Sequence, residues 1–254
     1  MRFALDEYAH LDSPIHRWNP KYKLVGLLAL IFAFATVEDL RLLPVIFTLT
    51  IFLYFLSRLP LSFLLNRLRY PGIFLVGVIA VLPFLSGQTI IWQWGIITLR
   101  QEGLLAVILI IGRFLSIFIT SLVLFGTSSF LNLIKSMRSL GLSPILADMM
   151  LLSYRYLFEL AYQLNTMQRA TQMRGFKPTR LSWRNLQVYA ALAGSLLVRS
   201  YQQSQEIYKA MQLRGYGTSI QSHQSKRRLD VYSAIALLIT LGIAAGIMGL
   251  EALL

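Results

Sequence analysis

Five stretches of this chain are too apolar, and too long, to be folded comfortably in water: residues 22–37, 42–56, 71–85, 104–126 and 231–250. A helix rises about 1.5 Å per residue, so about 20 mostly apolar residues cross the hydrocarbon core of a bilayer. The first three stretches are short by that measure and borrow flanking residues to complete a crossing. Only 14% of the chain is charged and its mean hydropathy is +0.60, where a soluble domain carries about a quarter charged residues. The expected fold class is therefore all-α, a polytopic membrane protein with about five transmembrane helices and two long cytoplasmic helices. Polar breaks separate the spans at Glu38-Asp39-Leu40-Arg41, between Arg58 and Arg69, and between Ser86 and Gly103.

Positive charge sets the orientation, because Lys and Arg concentrate in loops on the cytoplasmic side. With the N-terminus inside, residues 1–23, 57–70 and 127–230 hold 21 of the 24 Lys and Arg. Arg41 and Arg100 are left outside, and Arg113 is the one clear charge set within a span. Residues 1–126 then form a membrane domain with a cytoplasmic tail and four spans. Residues 127–230 are cytoplasmic, and residues 231–254 carry the final transmembrane helix, with the C-terminus outside. Two further apolar stretches, 145–161 and 186–198, could be taken for a membrane hairpin. That would export Arg169, Arg174, Lys177, Arg180 and Arg184 with no acidic residue among them, so both are placed at the cytoplasmic face.

The net charge of +13 is accounted for by this loop bias, and no nucleic-acid partner is inferred from it. Asp6, Glu7 and Asp12 argue against a cleaved signal peptide, which begins basic and turns apolar at once. There is no cysteine, hence no disulfide framework or thiolate metal site. His10 and His16 lie near Asp6, Glu7 and Asp12 without a recognisable ligand spacing, and His223 stands apart; none is assigned to metal. Lys226-Arg227-Arg228 reads as a topology anchor meeting anionic lipid headgroups. Trp92 and Trp94 read as an outer interfacial belt.

Within the cytoplasmic region an octapeptide occurs twice. Residues 169–176 read Arg-Ala-Thr-Gln-Met-Arg-Gly-Phe, and residues 209–216 read Lys-Ala-Met-Gln-Leu-Arg-Gly-Tyr. Ser143-Pro144 opens one helix and Ser182 another; Gly175 and Gly215 suit a left-handed stop, and Pro178 blocks continuation. Each copy is thus expected to be the last turn of a helix about 45 Å long. Arginine in a last turn complements the helix dipole, and glycine after it is an ordinary cap. Capping alone does not ask for Ala170 and Ala210, for Gln172 and Gln212, or for an aromatic after each glycine. An arginine fork at an exposed helix end can bind a carboxylate or helix-end carbonyls of a partner. Two equivalent tips point to a two-fold protein partner.

The chain resembles the transmembrane T component of energy-coupling factor transporters, most closely the cobalt-type CbiQ family. The resemblance runs over nearly the whole chain: Leu5-Asp6-x-Tyr8-Ala9-His10, the stretch from Ser13-Pro14 to Lys23, Arg67-Leu68-Arg69-Tyr70-Pro71-Gly72, Ser139 to Pro144, and Leu152-Ser153-Tyr154-Arg155-Tyr156. Its most specific part is the pair of Arg-Gly turns. The family form is an Ala-Arg-Gly-like motif, whereas Met173-Arg174-Gly175 and Leu213-Arg214-Gly215 carry a larger first residue. The resemblance implies that Ala170, Met173, Arg174 and Gly175, with Ala210, Leu213, Arg214 and Gly215, dock on two ATP-binding cassette subunits. It further implies a substrate-binding S component, of cobalt or nickel type first and of vitamin type as the alternative. ATP and Mg would be bound by the partner ATPases and no cofactor by this chain directly. No glycine is followed by lysine, so a Walker A phosphate loop is absent and the chain is expected to be non-catalytic. An intramembrane enzyme is a remote rival, since no histidine lies in a span. Arg113 is read as a contact with the S component or a polar link between helices, with snorkelling or a span offset from 104–126 as the alternative.

A cysteine introduced at Ser182 is expected to resist an impermeant thiol reagent in intact cells and to react once the membrane is opened. Labelling from the outer face would reverse the assigned orientation.

Overall fold

The computed structural model describes residues 11–85, 90–94, 97–176, 182–216 and 231–253. The opening Leu5 to His10 motif, Lys177 to Arg180, His223 and Lys226-Arg227-Arg228 lie outside the described residues. By its internal contacts the chain forms two units, Met1–Gly141 with Arg227–Leu254, and Leu142–Lys226.

The first unit holds nearly all the apolar helices. They are α1 (Pro14–Arg17), α2 (Pro20–Thr36), α3 (Leu43–Ser57), α4 (Leu61–Leu85), α5 (Gln101–Gly126), α6 (Phe130–Ser139) and α9 (Val231–Leu253), with a 3₁₀ turn at Leu40–Leu42. Among the described residues three segments are both long and apolar enough to cross a membrane: Leu40–Ser57, Gly103–Gly126 and Val231–Leu253. The expected span at 22–37 falls in α2, whose 17 residues rise about 26 Å. That at 71–85 is the second half of α4. Multiple crossings of the membrane by helices, the expected class, are thus present.

Two of the expected breaks take a different form. Between Arg58 and Arg69 the interruption is confined to residues 58–60, where Arg58 ends α3 with a left-handed φ of 52°. Helix then resumes at Leu61 and runs through Arg67, Arg69 and Pro71 without a stop. The stretch from Leu61 to Tyr70 holds no glycine or proline, and its charges, even with Ser62 and Asn66, do not break the helix. The stretch between Ser86 and Gly103 contains a small antiparallel hairpin, β1 (Ile90–Trp94) and β2 (Ile97–Arg100), in which Trp92 pairs with Leu99 and Trp94 with Ile97. This is the one strand pair among the described residues.

Helix α5 packs against α2, α3 and α4, while α2 lies against α9 and α6. The core is built from Leu27, Leu30 and Phe34 of α2, Ile46 and Leu53 of α3, Val123 and Leu124 of α5, and Ala244 and Ile247 of α9. The α2–α9 approach is close: a methyl at Gly26 would stand 2.6 Å from Thr240 Oγ1. Small residues at such crossings are how apolar helices pack when lipid offers no hydrophobic drive between them. On the outside, Leu61, Leu65, Ile73, Phe74 and Val76 of α4 are exposed, a surface suited to lipid.

Polar ties hold one end of this unit. Trp18 Nε1 donates to the Ser233 carbonyl at 3.2 Å, and the Asn19 amide donates to Ser233 Oγ at 3.1 Å. Beside them Lys23, only 1% exposed, donates to the Thr127 carbonyl at 2.9 Å, Thr127 Oγ1 at 3.1 Å and the Ile15 carbonyl at 3.4 Å. Those three acceptors match the three donors of an ammonium group. Thr127 Oγ1 keeps its own proton on the Val123 carbonyl at 2.6 Å. One side chain therefore joins α1, α2 and the α5–α6 connection.

Lys23→Met should leave these buried acceptors without a donor and cost about 1–3 kcal/mol, read as a lower denaturation midpoint of the purified protein in detergent. Lys21→Met should leave the midpoint in place. Equal midpoints for both variants would remove the structural role given to Lys23.

Candidate functional site: the two arginine tips

The second unit consists of α7 (Pro144–Met173, 30 residues) and α8 (Trp183–Leu213, 31 residues). Both start and stop where the sequence places them, although neither Ser143 nor Ser182 makes a side-chain capping bond. Proline at the first position of α7 and extended backbone at Ser182 suffice to begin the helices.

The two helix ends are built alike. Arg174 and Arg214 occupy the cap positions, followed by Gly175 at φ +90° and Gly215 at φ +79°. Gly175 N–H donates to the Gln172 carbonyl at 2.9 Å, and Phe176 N–H to the Thr171 carbonyl at 3.2 Å. In the second copy Gly215 N–H donates to the Gln212 carbonyl at 2.9 Å, and Tyr216 N–H to the Met211 carbonyl at 3.0 Å. These are paired Schellman motifs, in which a left-handed glycine and the residue after it close the last carbonyls. The residue after each glycine thus serves helix termination through its backbone N–H, which any residue but proline could supply, so these bonds do not by themselves call for an aromatic side chain. A Schellman end is commonly covered by an apolar residue at that position.

What termination leaves unexplained is the outward face of each tip. Met173 is 91% exposed and Leu213 90% exposed, and Arg174, Arg214, Ala170 and Ala210 are exposed beside them. A helix end that needed only a cap would not hold a large apolar side chain in the open next to an arginine, twice. Each tip thus presents an apolar knob and a guanidinium fork side by side, a surface that can bury carbon and bind an anion or carbonyl at once.

Three contacts relate the helices to each other. Phe176 stacks edge-on against Tyr189, with ring centroids 5.5 Å apart. Gln163 Nε2 lies 3.5 Å from Gln203 Oε1, and Tyr216 Oη donates to Asp148 Oδ2 at 3.3 Å. The contacts run in opposite order along α7 and α8, so the helices are antiparallel and Arg174 and Arg214 lie towards opposite ends of the pair.

Arg113, in α5, belongs to the first unit. Its Nη2 donates to the Val37 carbonyl at the end of α2, while its Nε is buried without a partner. The N–H of the same peptide unit, on Glu38, donates to Glu251 Oε1 of α9 at 2.7 Å. One peptide is thus held by an arginine from α5 and a carboxylate from α9. Sequence reasoning missed Glu251 and Lys23 as partners; a buried lysine next to a run of apolar residues was the only available signal for the latter.

Residues 12–226 match the family described as Cobalt transport protein, CbiQ. The chain is 25% identical over 231 residues to the energy-coupling factor transporter transmembrane protein EcfT of Limosilactobacillus fermentum, covering 85% of this chain and 84% of that one. It is 29% identical over 226 residues to the protein of the same name from Lactococcus lactis subsp. cremoris, covering 84% of each. With that from Streptococcus equi subsp. equi it shares 27% identity over 261 residues and 95% of each chain. A predominantly helical multi-pass membrane unit, two long helices ending in matched arginine tips, and a family match over most of the length converge: this chain belongs to the CbiQ family of energy-coupling factor transmembrane components.

Proposed function

We propose that this chain is the non-catalytic coupling subunit of an ATP-driven importer, linking two ATP-binding cassette subunits to a substrate-binding S component. The observation that carries the proposal is the pair of matched tips, each offering Met173 or Leu213 beside Arg174 or Arg214 in the open. Two equal tips suit two like motor subunits, and the relatives are named as transmembrane proteins of energy-coupling factor transporters. Each arginine would enter a groove on one ATPase, and closure of the ATPases on nucleotide would swing the helices. The membrane unit would pass that movement to the S component. ATP and Mg would stay on the ATPases, in keeping with the missing Walker A loop. The tips and the N-terminus would face the cytoplasm, by the distribution of positive charge. Cobalt or nickel ion is the proposed cargo, supported by the family description.

Arg174→Glu and Arg214→Glu should each leave the protein in the membrane while weakening co-purification with its ATPases. Reversing a charge in a desolvated contact costs 2 kcal/mol or more, roughly a 30-fold loss of affinity. Normal assembly and uptake with both arginines reversed would defeat the docking proposal. Uptake of radioactive cobalt that persists in a strain lacking this chain would defeat the cargo assignment alone.

A further inference from the structure

Helices α2, α3 and α9 meet at a level well short of the point where α5 begins. Lys23, near the start of α2, bonds to Thr127, just past the end of α5. Fourteen positions further along α2, the Val37 carbonyl accepts from Arg113, which lies fourteen positions before Thr127. The two helices therefore run antiparallel and in step, and α2 ends beside the middle of α5. Leu43, which opens α3, lies against Gly112. Glu251, two residues from the end of α9, accepts from the Glu38 amide. Helix α5 starts at Gln101, twelve residues or about 18 Å beyond Arg113.

Helix α4 accompanies α5 past that level. Phe63 of α4 lies close to Gly126, α4 packs along α5, and the β1–β2 hairpin joins their far ends. Fourteen positions past Phe63, Gly77 is level with Gly112, so the stretch from Gly77 to Leu85 lies beyond the ends of the other three helices. These extensions are apolar: residues 71–85 and 103–112 hold no charged side chain, and Val81, Leu104, Leu105 and Ile108 are exposed. Such a surface belongs in hydrocarbon, which puts the membrane boundary on this side near Glu102. The level where α2, α3 and α9 meet is polar by contrast. Glu38, Asp39, Arg41, Arg113 and Glu251 collect there, about 16 Å inside that boundary. Glu38 and Arg41 are exposed. Charge set against lipid at such depth is costly, and residues of this kind face protein or water.

We propose that a water-filled crevice enters the membrane unit on the side where α5 begins, walled by the apolar ends of α4 and α5 and floored by Arg113, Glu251 and the Val37–Glu38 peptide. By the distribution of positive charge this is the outer side. The floor has two polar atoms left over, Arg113 Nε and Glu251 Oε2, both buried without a partner among the described residues. One is a donor and the other an acceptor, and their side chains hold the same peptide. Water accepts from the first and donates to the second, which a partner of fixed polarity does not. Water also suits exposed charges of both signs, Glu38 beside Arg41, which a partner of one charge matches only in part. The crevice lets α2 join water to water although its 17 residues rise only about 26 Å.

The chain has no cysteine, so single thiols report without background. In intact cells carrying the whole transporter, Leu40→Cys and Arg41→Cys should react with a charged, impermeant methanethiosulfonate at least a hundredfold faster than Ile108→Cys. That order is the reverse of depth, since Ile108 lies about 7 Å nearer the boundary than Arg113 does. After denaturation in sodium dodecyl sulfate all three should label fully, which shows that each thiol is present and free. Reaction of Leu40→Cys and Arg41→Cys in inverted vesicles alone would support the crevice and reverse the orientation. Failure of both to react from either side overturns the crevice, because lipid or a partner then covers its floor. Ile108→Cys reacting as fast as the other two also overturns it, because the ends of α4 and α5 then stand in water.

Discussion

The membrane unit depends on an ammonium group that no carboxylate among the described residues neutralises. Lys23 sits in the interior with three oxygens around it, two of them backbone carbonyls. Burying a charge without full hydrogen bonding is among the most expensive arrangements available to a protein. Those oxygens must therefore stay in place, and they belong to segments over a hundred positions apart in sequence. The lead-in to α2, the end of α5 and the start of α6 are fixed together by that demand.

Helix α5 then organises the remaining spans by touching α2, α3 and α4, and close approach does the rest. At Gly26 and at Gly112, where a methyl would run into Thr240 and Leu43 respectively, the absence of a side chain lets a neighbouring helix's side chains close onto the backbone. The long helices of the second unit follow other rules. Aromatic and polar contacts join them, Ala147 and Leu192 are buried, and apolar side chains such as Leu197 and Tyr201 are left exposed.

Much of this was legible in the residues. Apolar length located the helices, Gly175 and Gly215 located both long-helix ends, and the octapeptide identified the tips. The failures have physical causes. Charged residues at Arg67 and Arg69 looked like a loop because charge was weighed above the lack of any glycine or proline between Leu61 and Tyr70. The strands after Ser86 were missed because a hairpin this short has no periodicity to detect. The closing of both long-helix ends by the N–H groups of Phe176 and Tyr216 was not legible, since such backbone bonds are invisible in a sequence. Lys23, Glu251 and the Gln163–Gln203 pair form contacts between distant segments, and one sequence without relatives carries no trace of such pairings.

Helix α2 finds its mates more than two hundred positions further along the chain. Trp18 and Asn19 bond to Ser233, and Glu38 bonds to Glu251, at sequence separations of 215, 214 and 213 positions. Synthesis proceeds from one end, so α2 must enter the bilayer well before α9 exists. Until then the Trp18 indole, the Asn19 and Glu38 amides and the packing face around Gly26 have nothing of their own to meet. Assembly of this protein is therefore completed by its final helix, and a ribosome that stalls ahead of Val231 releases a bundle still open along its first member.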